Sequence, residues 1–127
     1  MRWKGSRRST KYNAKKATCS AGHTHDSIGE AKRCDELHLM QRAGEISDLS
    51  VSPLFRFVLP DGRAIRMKNG HVARYTGDFQ YMENGRQIVE DFKGFVARDF
   101  PLRRALFEAL FPDITLRVVG LAKRKKV

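Results

Sequence analysis

Cysteine is scarce in this chain, with only Cys19 and Cys34 among 127 residues. Two thiols cannot build a disulfide framework, which excludes the small secreted scaffold held together by crosslinks. Long apolar runs are missing as well, and no lipidation motif is present, so neither a spanning helix nor a lipid anchor is expected. The basic opening MRWKGSRRSTKYNAKK has no apolar stretch of the kind a secretory signal needs. An intracellular protein without membrane partners is expected. Acidic residues are the third deficit: 14 Asp+Glu face 25 Lys+Arg, a net charge of +11. Such an excess says nothing about fold but favours a polyanionic partner, most simply nucleic acid.

What is present suffices for one core. The chain is 41% hydrophobic and long enough for a single domain, expected over residues 15–120. Residues 1–14 carry Arg2, Lys4, Arg7, Arg8 and Lys11 and no acid, and read as a flexible basic arm. Residues 121–127 form a second basic segment with Lys123, Arg124, Lys125 and Lys126. These side chains, with Lys15 and Lys16, are the expected phosphate contacts of a DNA-binding protein; the competing reading is a solubilising tail.

Residues 15–25 alternate weakly around Ala21-Gly22, as a short hairpin would. Ser27-Ile-Gly-Glu30 has the S-x-x-E form of a capping box, which predicts a helix ending at Gly44. Its inward stripe holds Glu30, Ala31, Cys34, Leu37, His38 and Gln41. Alternation through Leu49, Val51, Phe55, Phe57 and Leu59 predicts a strand interrupted by Pro53. A second strand covers Val72–Tyr81, with Tyr75, Gly77, Phe79 and Tyr81 on one face and Asp78 on the other. Asn84-Gly85 then turns the chain into a partner strand over 86–93. A helix over 101–111 follows, capped by Asp99, with Leu102, Ala105, Leu106, Ala109 and Leu110 on its apolar side. Ile114–Val119 is the last strand. This order predicts an α/β fold, a mixed central sheet flanked by helices, with a helical crossover to a parallel last strand.

Cys19, His23 and His25 lie close in sequence, and Cys34 and His38 stand four apart on the first helix. Both ligand types of a zinc site are therefore present. No C-x-x-C or H-x-x-x-H pattern frames them, so the two cysteines are expected as small buried hydrophobes.

The stretch Ile88-Val-Glu-Asp-Phe-Lys-Gly94 poses a different problem. Asp91 and Lys93 sit in a strand otherwise suited to burial, where charge is costly unless paired or bound to metal. Counting back from the turn puts Asp78 opposite Asp91, give or take one register step. Two carboxylates that close repel unless a cation intervenes, and oxygen donors select Mg²⁺ or Mn²⁺. Glu90 points to the opposite face.

The order of Glu30 on a first helix, then Asp78, twelve residues, Asp91, one residue and Lys93, resembles the PD-(D/E)XK nuclease superfamily, which includes Holliday-junction resolvases. Over residues 11–119, KYNAKK, HDSIGEAKRCDELHLMQRAGEISDLSVSP, YTGDFQY, VEDFKGF and LRRALFEALFP resemble a family of small phage and prophage proteins. The resemblance implies a restriction-endonuclease-like core and Mg²⁺-dependent cleavage of DNA, with no small-molecule cofactor. It implies that Asp78 and Asp91 hold the metal, Glu30 joins them as ligand or water-orienter, and Lys93 is catalytic. It implies action on branched DNA or junctions in the cytoplasm of a bacterial host, with a homodimer where two symmetric cuts are required. That family usually carries Gln before the proline of its first long strand, where this chain has Ser52. The rival reading is a non-catalytic DNA-binding module on a nuclease fold.

Overall fold

A computed structural model of the chain describes residues 16–93 and 97–120. The arm positions Arg2, Lys4, Arg7, Arg8, Lys11 and Lys15, and the tail positions Lys123, Arg124, Lys125 and Lys126, lie outside the described residues. Lys16 is described: it is exposed, 3.8 Å from Asp26. The chain divides into two compact units, one ending at Glu36 and the other beginning at Leu37. Among the described residues no helix is long and apolar enough to cross a membrane.

The first unit starts with a small antiparallel hairpin, β1 (Ala17–Thr18) and β2 (Thr24–His25). Gly22, at φ +91°, supplies the left-handed turn between them. Helix α1 (Ile28–Arg42) begins where the S-x-x-E pattern placed it: Ser27 Oγ accepts the Glu30 N–H at 3.1 Å. Only half of the capping box forms, because the Glu30 carboxylate goes elsewhere. The helix runs on into the second unit and ends before Gly44, whose φ of +82° suits the residue after a helix. Ala31, Cys34 and Leu37 are its buried residues, as the inward stripe predicts, while Leu39 is exposed.

The second unit holds a four-stranded mixed sheet in the order β3-β6-β7-β8, made of β3 (Ser47–Val51), β6 (Phe79–Glu83), β7 (Arg86–Phe92) and β8 (Ile114–Val119). Strands β3, β6 and β7 are antiparallel neighbours, and β8 lies parallel to β7 after the crossover through α2 (Phe100–Leu110). Two expected long strands are each divided. Pro53 separates β3 from β4 (Leu54–Arg56), and Gly77-Asp78 separates β5 (Arg74–Thr76) from β6. Strands β4 and β5 pair with each other in a separate two-stranded sheet. The physical reason is local: Pro53 has no N–H for a ladder, and Ser52 before it takes φ +53°.

The sheet packs one face against α2. Val89, Leu116, Phe57 and Tyr75 form a core with Phe100 and Phe107. The buried face of α2 matches the expected one in part: Leu106 and Leu110 pack against this core, but Leu102, Ala105 and Ala109 are exposed, since the larger aromatic rings take the inside. Asp99 occupies the N-cap position but makes no side-chain cap bond. Instead the helix begins at Phe100-Pro101, where proline costs no hydrogen bond.

Candidate functional site

Strand β7 lies between β6 and β8, so its backbone is paired on both sides and alternate residues face opposite layers. Val89 belongs to the core beneath α2, which assigns Asp91 and Lys93 to the same side. Asp91 is 3% exposed, and its Oδ2 lies 3.9 Å from Lys93 Nζ. That ammonium also stands 4.6 Å from the centre of the Phe100 ring at the start of α2. A buried carboxylate is thereby given a nearby cation, and the cation an aromatic floor.

Asp78 joins this end of the strand from β6. The register runs Glu83↔Arg86 out to Phe79↔Glu90, so the next step would set Asp78 opposite Asp91. The Asp78 N–H donates to the Glu90 carbonyl at 3.0 Å, and its Oδ2 accepts the Phe92 N–H at 2.7 Å. Its side chain is thus fixed on the peptide linking Asp91 to Phe92. Ser52 donates its N–H to the Asp78 carbonyl at 2.9 Å, which puts Ser52 against the same backbone.

Glu90 faces the other layer and is fully buried. Tyr81 OH donates to Glu90 Oε1 at 2.6 Å, and Arg117 Nη1 donates to the Tyr81 oxygen at 3.0 Å. Arg117 also pairs with Glu83 at 3.0 Å. Burial and then the Glu90 carboxylate push the Tyr81 phenol up to about 12. For Arg117, burial is outweighed by Glu83 and Tyr81, which raise it further above its usual value. This network satisfies a buried carboxylate with partners from the two neighbouring strands. Sequence reasoning placed Glu90 on this face but missed its partners, which come from β6 and β8.

A second group lies in the first unit. The hairpin brings Cys19 and His23 together, with the Cys19 N–H on the His23 carbonyl at 2.9 Å. His25 ends β2, and Cys34 projects from α1. Ser20 ties the hairpin to the helix by donating its N–H to Asp35 Oδ1 at 2.8 Å. His23 Nδ1 lies 3.5 Å from both Cys19 Sγ and Cys34 Sγ. The four donor atoms of Cys19, His23, His25 and Cys34 all fall within 4.8 Å of one another. Among the described residues this is the one group of three or more His, Cys, Asp or Glu set to hold a metal ion. His38 is not part of it, and the cysteines are more than the small hydrophobes expected.

The electrostatics of this group are uneven. Burial would raise the Cys19 thiol, but hydrogen bonds from His25 and the His23 backbone prevail and bring it down to about 6. Burial and the neighbouring Cys19 push Cys34 up to about 12. In His25 burial is overcome by Cys19 and Glu30, and the imidazole is raised. Glu30 Oε2 sits 2.9 Å from His25 Nδ1. Expected as a partner of Asp78 and Asp91, Glu30 lies in the first unit with its carboxylate on this histidine, whereas Asp78, Asp91 and Lys93 lie in the second.

No curated protein and no solved structure matches the chain. One family does, described as "Protein of unknown function (DUF1064)", and the match runs over residues 9–126. With nearly its whole length matched, the chain belongs to the DUF1064 family.

Proposed function

We propose that the protein is a metal-dependent endodeoxyribonuclease of the PD-(D/E)XK type, with Asp78, Asp91 and Lys93 as its site. The observation that carries this reading is the nearly buried Asp91 beside Lys93 at the end of a doubly paired strand, with the Asp78 carboxylate fixed on the next peptide. A merely structural ion pair has no need for that third group. The net charge of +11 supports a phosphate-backbone substrate.

Asp78 and Asp91 offer oxygen donors alone, the chemistry that suits Mg²⁺ or Mn²⁺. Bound there, such an ion would neutralise charge on the scissile phosphate and supply an acidified water. The Lys93 ammonium stands beside Asp91 and offsets the charge of its carboxylate. Asp78 cannot swing away without breaking its bond to the Phe92 amide. Lys93, partly exposed, can donate to a phosphate oxygen or hold the attacking water in line. The restriction-endonuclease-like core, a preference for branched DNA or junctions, a phage origin and a homodimer that cuts both strands extend this reading; each rests on the sequence resemblance.

The test is cleavage of a junction, a flap and a linear duplex in Mg²⁺ and in Mn²⁺. Asp78→Asn and Asp91→Asn should abolish cutting while binding to DNA persists or tightens, because repulsion toward phosphate falls. Lys93→Ala should slow single-turnover cleavage by about 10²-fold or more. Wild-type rates in either Asp variant would refute the site. Tight DNA binding without cleavage of any substrate by the wild type would favour the non-catalytic module.

A further inference from the structure

The described residues of the first unit bury almost nothing apolar. Among its described residues the buried ones are Cys19, His25, Ala31 and Cys34. Three of these four carry metal-ligating atoms, and the remaining side chain is one methyl group. A hairpin and helix start that bury so little apolar surface ordinarily need a crosslink, a metal or a partner.

The distances indicate which. In a tetrahedral site with Zn–S of about 2.3 Å and Zn–N of about 2.05 Å, neighbouring sulfur and nitrogen ligands stand about 3.6 Å apart. His23 Nδ1 lies 3.5 Å from each of the two sulfurs, which is that edge length twice over. His25 offers the fourth donor, and its Nδ1 is held by Glu30. A carboxylate behind an imidazole is the usual outer partner of a metal-bound histidine, fixing which nitrogen faces the ion. Two thiolates and two neutral imidazoles offset a divalent charge in full, so burial of the filled site carries no net charge. A mixed S₂N₂ tetrahedron is the preference of zinc among common ions.

We propose that Cys19, His23, His25 and Cys34 bind one zinc ion in a closed, structural Cys₂His₂ site that fastens the β1–β2 hairpin to α1, with Glu30 as the positioning residue for His25. All four tetrahedral positions are protein ligands, so no water is left to activate and the ion is a staple. It is distinct in donor chemistry from the oxygen ligands of the nuclease reading, and it stands or falls separately.

Protein purified without added metal should carry one zinc per chain by elemental analysis. Exchange into Co²⁺ should give the visible bands of tetrahedral cobalt with sulfur-to-metal charge transfer. Cys34→Ser and His23→Ala should lose the ion, whereas His38→Ala should keep it. Glu30→Gln should weaken zinc by about 10–100-fold in competition with a chelator yet retain a tetrahedral cobalt spectrum. Should Cys34→Ser fail to fold, the wild-type stoichiometry, cobalt spectrum and chelator affinity decide alone. A folded wild type free of transition metal, an octahedral cobalt spectrum, or a Cys19–Cys34 disulfide in freshly isolated protein would each overturn the proposal. Zinc-free protein that cuts DNA would leave the nuclease reading intact; zinc-loaded protein that cuts nothing would do the reverse.

Discussion

Gly77 is the position where a single methyl group should report most sharply on this architecture. It lies where the chain leaves the β4–β5 pair and enters the main sheet, just before Asp78. A Cβ built there would lie 2.6 Å from Val89 Cγ1, against an ordinary carbon–carbon separation of about 3.5–4.0 Å. Roughly 1 Å must be found. Moving the methyl away is hindered by Pro53 Cγ at 3.5 Å and the Glu90 carbonyl at 3.7 Å. Val89 cannot yield cheaply either: it is fully buried and β-branched, which restricts its χ1. Gly77→Ala should therefore cost about 1–3 kcal/mol, the scale of overpacking. In a unit of this size that lowers Tm by roughly 5–20 °C. Urea titrations of Gly77→Ala, Val89→Ala and the double variant make the test specific. Val89→Ala alone loses burial worth about 2 kcal/mol but opens the space the new methyl needs. The double variant should be less destabilised than the sum of the singles by about 1–3 kcal/mol. Strict additivity would refute the steric argument. On the nuclease reading, Gly77→Ala should also slow cleavage, because Asp78 is hung from the displaced backbone.

Glu90→Gln keeps an acceptor for Tyr81 but removes the charge, and should cost about 1–2 kcal/mol while DNA cleavage stays near normal; abolished cleavage in a folded variant would mean that Glu90 belongs to the site. Tyr81 has a folded value of about 12 against 10 for the free side chain, so its contribution is fully present below pH 10 and is lost as pH rises toward 12. That amounts to about 2–3 kcal/mol, which the stability–pH curve of Tyr81→Phe should lack; parallel curves would refute it. Deleting residues 1–10 removes Arg2, Lys4, Arg7 and Arg8, and should flatten the slope of log affinity against log salt by roughly 0.9 for each phosphate that is no longer neutralised. An unchanged slope would make the arm a solubilising tail.

The parts of this fold that the sequence discloses are those set by neighbours along the chain. Asn84-Gly85 with alternation on both sides marks the β6–β7 hairpin and its register to within a step, and Ser27 and Gly44 bracket α1. The division of two strands was not legible, because which sheet Leu54–Arg56 and Arg74–Thr76 join depends on each other and not on local pattern. The face of α2 is only half legible for a similar reason: of the leucine and alanine stripe, Leu106 and Leu110 reach the core, but the buried positions go to the rings of Phe100 and Phe107. At the sheet site, side-chain parity alone set Asp91 and Lys93 on one face. The Cys/His group shows both ligand types in the sequence, but its spacing, C-x₃-H-x-H-x₈-C, is not that of two paired knuckles, and its convergence depends on a hairpin and a helix coming together. Its visible trace was four ligand-type residues within sixteen positions that offered almost no other core material.

The β6–β7 hairpin also sets an order of events during folding. Its turn residues Asn84 and Gly85 both take positive φ, +52° and +80°, so the turn is shaped before any distant contact exists. Closure over two residues is fast, on the order of microseconds, whereas the parallel β7–β8 pairing must wait for the α2 crossover. Zipping then proceeds from Glu83↔Arg86 outward to Phe79↔Glu90. Asp78 and Asp91 lie past the last of these pairs, at the end away from the turn, so their charges come into play only after several rungs have formed. The acids therefore bear on the final rungs and spare the nucleus, and the bonds from the Asp78 amide to the Glu90 carbonyl and from the Phe92 amide to Asp78 close that end last.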